Sequence, residues 1–156
     1  MDTSFNPIIN GFLLRFTVML VIFFMNGIDP KIKVAILFLL DAVDCGYTQI
    51  VNYKSIGNFS PNYCNEPLYL IGDEILDYIS YIMAYKLLGF SKYLFIFVIF
   101  RIIATILFII SGNKWWFMIA PDAFKELVMY SWIYPLNHVN IIVICAIKLA
   151  VEYYYL

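Results

Sequence analysis

Residues 93–110 read YLFIFVIFRIIATILFII, an unbroken apolar run whose single charge is Arg101. Such a run approaches the roughly 20 residues that an α-helix needs to cross the hydrocarbon of a bilayer. Ser111-Gly112-Asn113 closes it with turn chemistry. Working outward, further apolar runs appear on both sides. One covers about residues 8–25 and stops at Asn26-Gly27 and Asp29-Pro30. The next begins near residue 32 and continues through Leu40 into Asp41, Asp44 and Tyr47. A polar loop at about 52–67, holding Asn, Ser, Gly and two prolines, breaks the pattern. A helix is expected from about 68 to 88, with Gly89 as its C-terminal cap. Residues 115–134 make a poor span, because Pro121, Asp122, Lys125 and Glu126 interrupt them. Pro121 followed by acidic residues has the look of a helix start, so this piece is expected to be broken or to lie at the interface. The last run, from about 139 to the end, is apolar apart from Lys148 and Glu152. The expected fold is an all-α integral membrane protein: a bundle of six, alternatively five, transmembrane helices in a single polytopic domain over 1–156.

The composition agrees. The 156 residues are 63% hydrophobic and 13% charged, too apolar for an ordinary soluble domain. A net charge of -1 provides no basic surface to neutralise phosphates, which argues against a nucleic-acid partner. Cys45, Cys64 and Cys145 form no CxxC pair, and His138 is the one histidine, so a structural zinc site is not expected. Cys45 and Cys64 flank the polar loop and are close enough in sequence to bridge in an oxidising compartment; two unrelated thiols is the favoured reading. The first apolar run follows no basic stretch and precedes no small-residue cleavage site, so it reads as a retained span. Trp115, Trp116, Tyr130, Trp132, Tyr134 and Tyr153 to Tyr155 sit near expected segment ends, where aromatic residues anchor at the interface. Lys31, Lys33, Lys86 and Lys92 place positive charge in the first and third loops, while Lys54, Lys114, Arg15 and Lys148 blunt that bias. Orientation and compartment both stay open.

Function is best approached through carboxylates. Asp41 and Asp44 are three apart and Asp73 and Asp77 four apart, so on helices each pair shares a face. Carboxylates at membrane depth cost a few kcal/mol or more and are normally kept for a cation, a proton or a partner. Two such pairs on consecutive segments are expected to converge into one acidic cluster. Crowded carboxylates repel unless positive charge intervenes, and Mg²⁺ or Mn²⁺ prefers oxygen ligands in such a setting. Two ions held by shared aspartates would clamp a phosphate or pyrophosphate group.

The stretches DAVDCGYTQ (41–49) and IGDEILDY (71–78) resemble a degenerate CDP-alcohol phosphatidyltransferase signature, D-x2-D-G-x2-A-R-x8-G-x3-D-x3-D. In that family it spans the second and third of six transmembrane helices, so the resemblance would cover most of the chain. The D-x2-D half falls on Asp41 and Asp44, and the D-x3-D half on Asp73 and Asp77. Cys45 stands where the first glycine is expected, with Gly46 one place late. Thr48 and Gln49 replace the Ala-Arg pair, and Tyr69 replaces the second glycine, with Gly72 nearby. The interval between the halves is also longer, which is cheap in loop entropy. The resemblance implies metal binding by Asp41, Asp44, Asp73 and Asp77, with Asp77 also the general base, and nucleotide contact at Gly46. It implies attack of an alcohol hydroxyl on the phosphate of a CDP-linked donor, release of CMP, and two Mg²⁺ or Mn²⁺ ions stabilising the developing charge. A homodimer in the lipid bilayer is among the assemblies it implies.

Arg101 has two equally weighted readings: a ligand for substrate phosphate, or a salt bridge to Asp73, Glu74 or Asp77. Lys54 either replaces the missing arginine at the phosphate or is solvated. Arg15, in the first apolar run, can snorkel toward a membrane end. Asp122, Lys125 and Glu126 read as a solvated or interfacial face, His138 as interfacial, and Tyr78 and Tyr81 as packing between helices. Asn58-Phe59-Ser60 is a glycosylation sequon followed by Pro61. The competing reading of the whole is a non-catalytic or ion- or proton-conducting membrane protein that uses the same carboxylates.

Overall fold

Helices account for every regular element in the computed structural model, which describes residues 7–41, 67–89 and 94–155. They are α1 (Pro7–Phe24), α2 (30–41), α3 (Pro67–Leu88), α4 (Leu94–Ser111), α5 (Trp115–Ile119), α6 (Phe124–Ser131) and α7 (His138–Tyr155). The chain is therefore all-α, with no strand among the described residues. It divides into two compact units, Met1–Gly89 and Phe90–Leu156. Asp44, Cys45, Gly46, Lys54, the sequon at 58–60, Cys64 and Lys92 lie outside the described residues.

The first unit begins with a helical hairpin built from local rules. Met25 N–H closes the last turn of α1 on Val21 O, and Gly27 then takes φ 83°, a left-handed conformation that glycine adopts without steric cost. Asp29 caps α2: its Oδ1 accepts from Lys31 N at 2.7 Å and its carbonyl from Lys33 N at 3.1 Å. Pro30 fills the first helical position, where its missing N–H costs nothing. Lys33 is buried and donates from Nζ to Phe23 O at 3.2 Å, meeting one of the open carbonyls at the end of α1. It thus ties α2 to α1 as well as adding positive charge near the loop.

Packing of α1 on α3 depends on a missing side chain. A Cβ at Gly72 would overlap the ring of Phe12, so glycine lets that ring lie against α3. Phe12 also meets Tyr69 with ring centroids 5.5 Å apart. Met19, Val34, Leu37, Tyr81 and Ala84 complete a fully buried apolar core, with Phe38 edge-on to Tyr81. Gly89 at φ 63° donates to Tyr85 O and ends α3 as the expected cap.

In the second unit, α4 ends as its sequence implies: Gly112 has φ 67° and donates to Phe108 O. Pro121 splits the poor span into α5 and α6, which starts at Phe124. Phe117, Phe124, Leu127 and Val128 are buried with Phe108. The charges of α6 depart from expectation. Asp122 and Lys125 are not a solvated face: they are 7% and 5% exposed, and Lys125 Nζ lies 3.6 Å from Asp122 Oδ2. The short α6 packs on α4, which turns its first residues inward, and burial there is tolerable because the two charges pair. Asn137 caps α7, its Oδ1 accepting from Asn140 N at 2.8 Å.

Among the described residues one helix, α4, is long and apolar enough to cross a membrane. Helix α3 has the length but carries Asp73, Glu74, Asp77 and Lys86. The apolar stretches Ile9–Phe24 and His138–Val151 are shorter.

Candidate functional site

Three helices of the first unit deliver charge to one point. Asp41 sits at the last described residue of α2, while Asp73 and Asp77 lie one helical turn apart on α3. One carboxylate oxygen from each of the three lies within 4.8 Å of the others. The convergence expected of Asp41, Asp73 and Asp77 is therefore present, and Asp44 lies outside the described residues.

The positive charge among them comes from the chain itself. Arg15, on α1, is 3% exposed. Its Nη1 donates to Asp73 Oδ1 at 2.6 Å and lies 3.5 Å from Asp41 Oδ1. Its Nη2 donates to Asp77 Oδ1 at 2.5 Å. Its charged head is buried among the carboxylates. A planar guanidinium with several donors can bridge carboxylates that would otherwise repel, and this outweighs exposing the charged head. Sequence reasoning missed this role, although the signal was there: a lone arginine inside an apolar run needs a partner as much as an aspartate does.

The surrounding residues hold the carboxylates in place. Asp77 is almost fully buried, and its second oxygen accepts from Tyr81 Oη at 3.4 Å. Ser80 Oγ donates to the Asp77 carbonyl at 2.7 Å, and Tyr78 Oη donates to Glu74 Oε2 at 3.0 Å. Tyr81 packs between helices as expected and also steadies the site. Asp41 and Asp73 are part-exposed, with 30% and 24% of their side chains accessible, so the cluster opens on their side. An all-oxygen donor set of this kind suits Mg²⁺ or Mn²⁺, so the residues fit a hard divalent cation.

Of the remaining expected site residues, Arg101 is the one among the described residues. Arg101, in the second unit, donates from Nη1 to Phe117 O at 3.3 Å and Ala120 O at 3.0 Å. Its guanidinium carbon stands 4.5 Å over the Phe117 ring. Those contacts hold the end of α5 against α4. Gly46 and Lys54 lie outside the described residues. In the same unit, Lys148 Nζ donates to Glu126 Oε1 at 2.7 Å and ties α7 to α6.

Compared with known proteins, the chain matches no family model, no curated protein and no solved structure.

Proposed function

We propose that this chain is a multi-pass membrane enzyme of the CDP-alcohol phosphatidyltransferase type, a bundle of six (alternatively five) spans that transfers a phosphoalcohol or phosphatidyl group from a CDP-linked donor to an alcohol. One observation carries the reading: Asp41, Asp73 and Asp77, three of the four aspartates that the resemblance singles out, meet within 4.8 Å although they come from two helices. Their all-oxygen donor set suits Mg²⁺ or Mn²⁺ at the same place. Such an ion would supply electrostatic stabilisation to a phosphate undergoing substitution. The part-exposed side of Asp41 and Asp73 is where a charged headgroup would approach. Asp77 is the residue proposed to accept the alcohol proton. Both its oxygens are engaged, by Arg15 and by Tyr81, so one contact must open before a hydroxyl can reach it.

The same contact favours a second reading. A guanidinium that already bridges three carboxylates satisfies them without any ligand, as a non-catalytic membrane bundle would require.

Membranes containing the protein, incubated with radiolabelled CDP-diacylglycerol or CDP-choline and Mg²⁺ or Mn²⁺, separate the two. The enzyme reading expects CMP release that falls at least a hundredfold in Asp77→Asn, in line with the loss of a general base. Absence of CMP release with every alcohol acceptor, from folded protein, rejects it in favour of the non-catalytic one.

A further inference from the structure

Between α4 and α7 the chain runs through a piece that is helical on either side of a break: α5, then residues 120–123, then α6. We infer that this piece crosses the membrane as a discontinuous span, with Arg101 holding its break at mid-depth. The inference rests on the membrane placement proposed above and on none of the phosphotransfer chemistry. It decides between an interfacial segment and a crossing, and so between five spans and six.

The direction of the neighbouring helices requires a crossing. Trp115, just past the end of α4, lies beside Tyr153 in the last turn of α7, with ring centroids 6.4 Å apart. Cys145 and Leu149, in the middle of α7, line one cavity with Phe100 and Ala104, in the middle of α4. Ends meet ends and middles meet middles, so α4 and α7 run the same way. Each has 18 residues and is therefore about 27 Å long. Two helices that pass through a membrane in the same direction need a return passage between them. The chain from Ser111 to His138 has to make it.

The contacts of the piece follow that path. The Phe117 ring meets that of Phe108, in the last turn of α4, at 5.0 Å. Phe117 O and Ala120 O then accept from Arg101, which lies about 15 Å along α4 from its C-terminal end. Glu126 accepts from Lys148 beyond the break. A piece lying flat at the surface would meet α4 near its end alone.

A break at this depth has to be satisfied by the protein itself, because hydrocarbon supplies no hydrogen-bond partner. Arg101 serves the carbonyls that the end of α5 leaves open, and its guanidinium lies over the Phe117 ring. Ala123 N donates to Pro121 O, and Asp122 and Lys125 are buried as a pair. An arginine in the middle of the most apolar helix is costly in lipid, and the broken span is what it serves.

The test uses the full chain in sealed membrane vesicles, with Cys45, Cys64 and Cys145 replaced by serine. The double variant Asn113→Cys, Pro135→Cys places one thiol at each end of the piece, at positions exposed in the structure. A membrane-impermeant maleimide carrying polyethylene glycol counts the accessible thiols by gel shift. One adduct per chain in sealed vesicles and two after permeabilisation are expected, whichever way the protein inserts. Lys114→Cys with Tyr134→Cys is the reserve pair, with the same expectation. Arg101→Leu in the double variant is expected to lower the one-adduct share at least twofold, and Arg101→Lys to retain more of it; a share unchanged in Arg101→Leu overturns the role given to Arg101. Two adducts or none in sealed vesicles, from protein that resists alkaline carbonate extraction, overturn the crossing and leave the membrane placement standing. Protein released by carbonate overturns both.

Discussion

The two units of this chain handle buried charge in opposite ways. In the first, three aspartates and an arginine, drawn from helices far apart in sequence, share one point. In the second, the described charges settle pairwise or on backbone: Asp122 with Lys125 one turn away, Lys148 with Glu126, and Arg101 on the carbonyls of Phe117 and Ala120. Contacts of this kind stabilise helix ends and packing. The hub in the first unit gathers three carboxylates from two helices around one guanidinium. That long-range convergence distinguishes it from the contacts of the second unit, and it can be probed from both sides.

The largest expected effect is at the hub. Arg15→Leu, measured with a chelator present, leaves crowded carboxylates without their counter-ion and is expected to cost about 3–5 kcal/mol of stability. Thermal unfolding in detergent measures it; a loss below about 1 kcal/mol would mean that the hub is no more consequential than the pairs of the second unit. Arg101→Leu comes next, at about 2 kcal/mol, because it removes charge-assisted hydrogen bonds and a contact with the Phe117 ring. Hydrogen exchange should show that loss confined to α5 and its neighbours, whereas a loss at the hub should spread over α1, α2 and α3.

Gly72→Ala is expected to cost about 1–2 kcal/mol through overlap with Phe12, and Phe12→Ala in the same chain should recover part of it. Recovery would assign the cost to steric overlap between α1 and α3 and not to the neighbouring Asp73. The smallest effect concerns Lys148 and Glu126, which are both part-exposed. Lys148→Met is expected to cost about 1 kcal/mol or less where their open side meets water. A cost of several kcal/mol would place that side in hydrocarbon, where a stranded glutamate is expensive.

Much of the fold was legible residue by residue. Asn26-Gly27 and Asp29-Pro30 specify a helix end, a cap and a helix start through conformational preferences that act over four or five positions. Gly89 and Gly112 end α3 and α4 for the same reason, and Pro121 breaks the poor span. The burial of Asp122 and Lys125 was not legible, because helical spacing places charges on one face without saying whether that face meets water or α4. The capping of α7 by Asn137 carried a signal, an asparagine immediately before the last apolar run. Arg15 was legible as a charge inside an apolar run, but its partners were not.

Amphipathic pattern and turn chemistry are short-range properties, so the chain's own order of residues sufficed to specify an all-helical protein, the ends of most of its helices and the shared faces of its aspartates. Which charges meet is a long-range matter. Residues 15, 41, 73 and 77 become neighbours through the packing of Phe12 over Gly72 and of α2 beside α1, and only the tertiary structure could choose a guanidinium as the partner of those carboxylates. The electrostatic energy of a buried group depends on distances of a few ångströms, and no spacing along a sequence contains them.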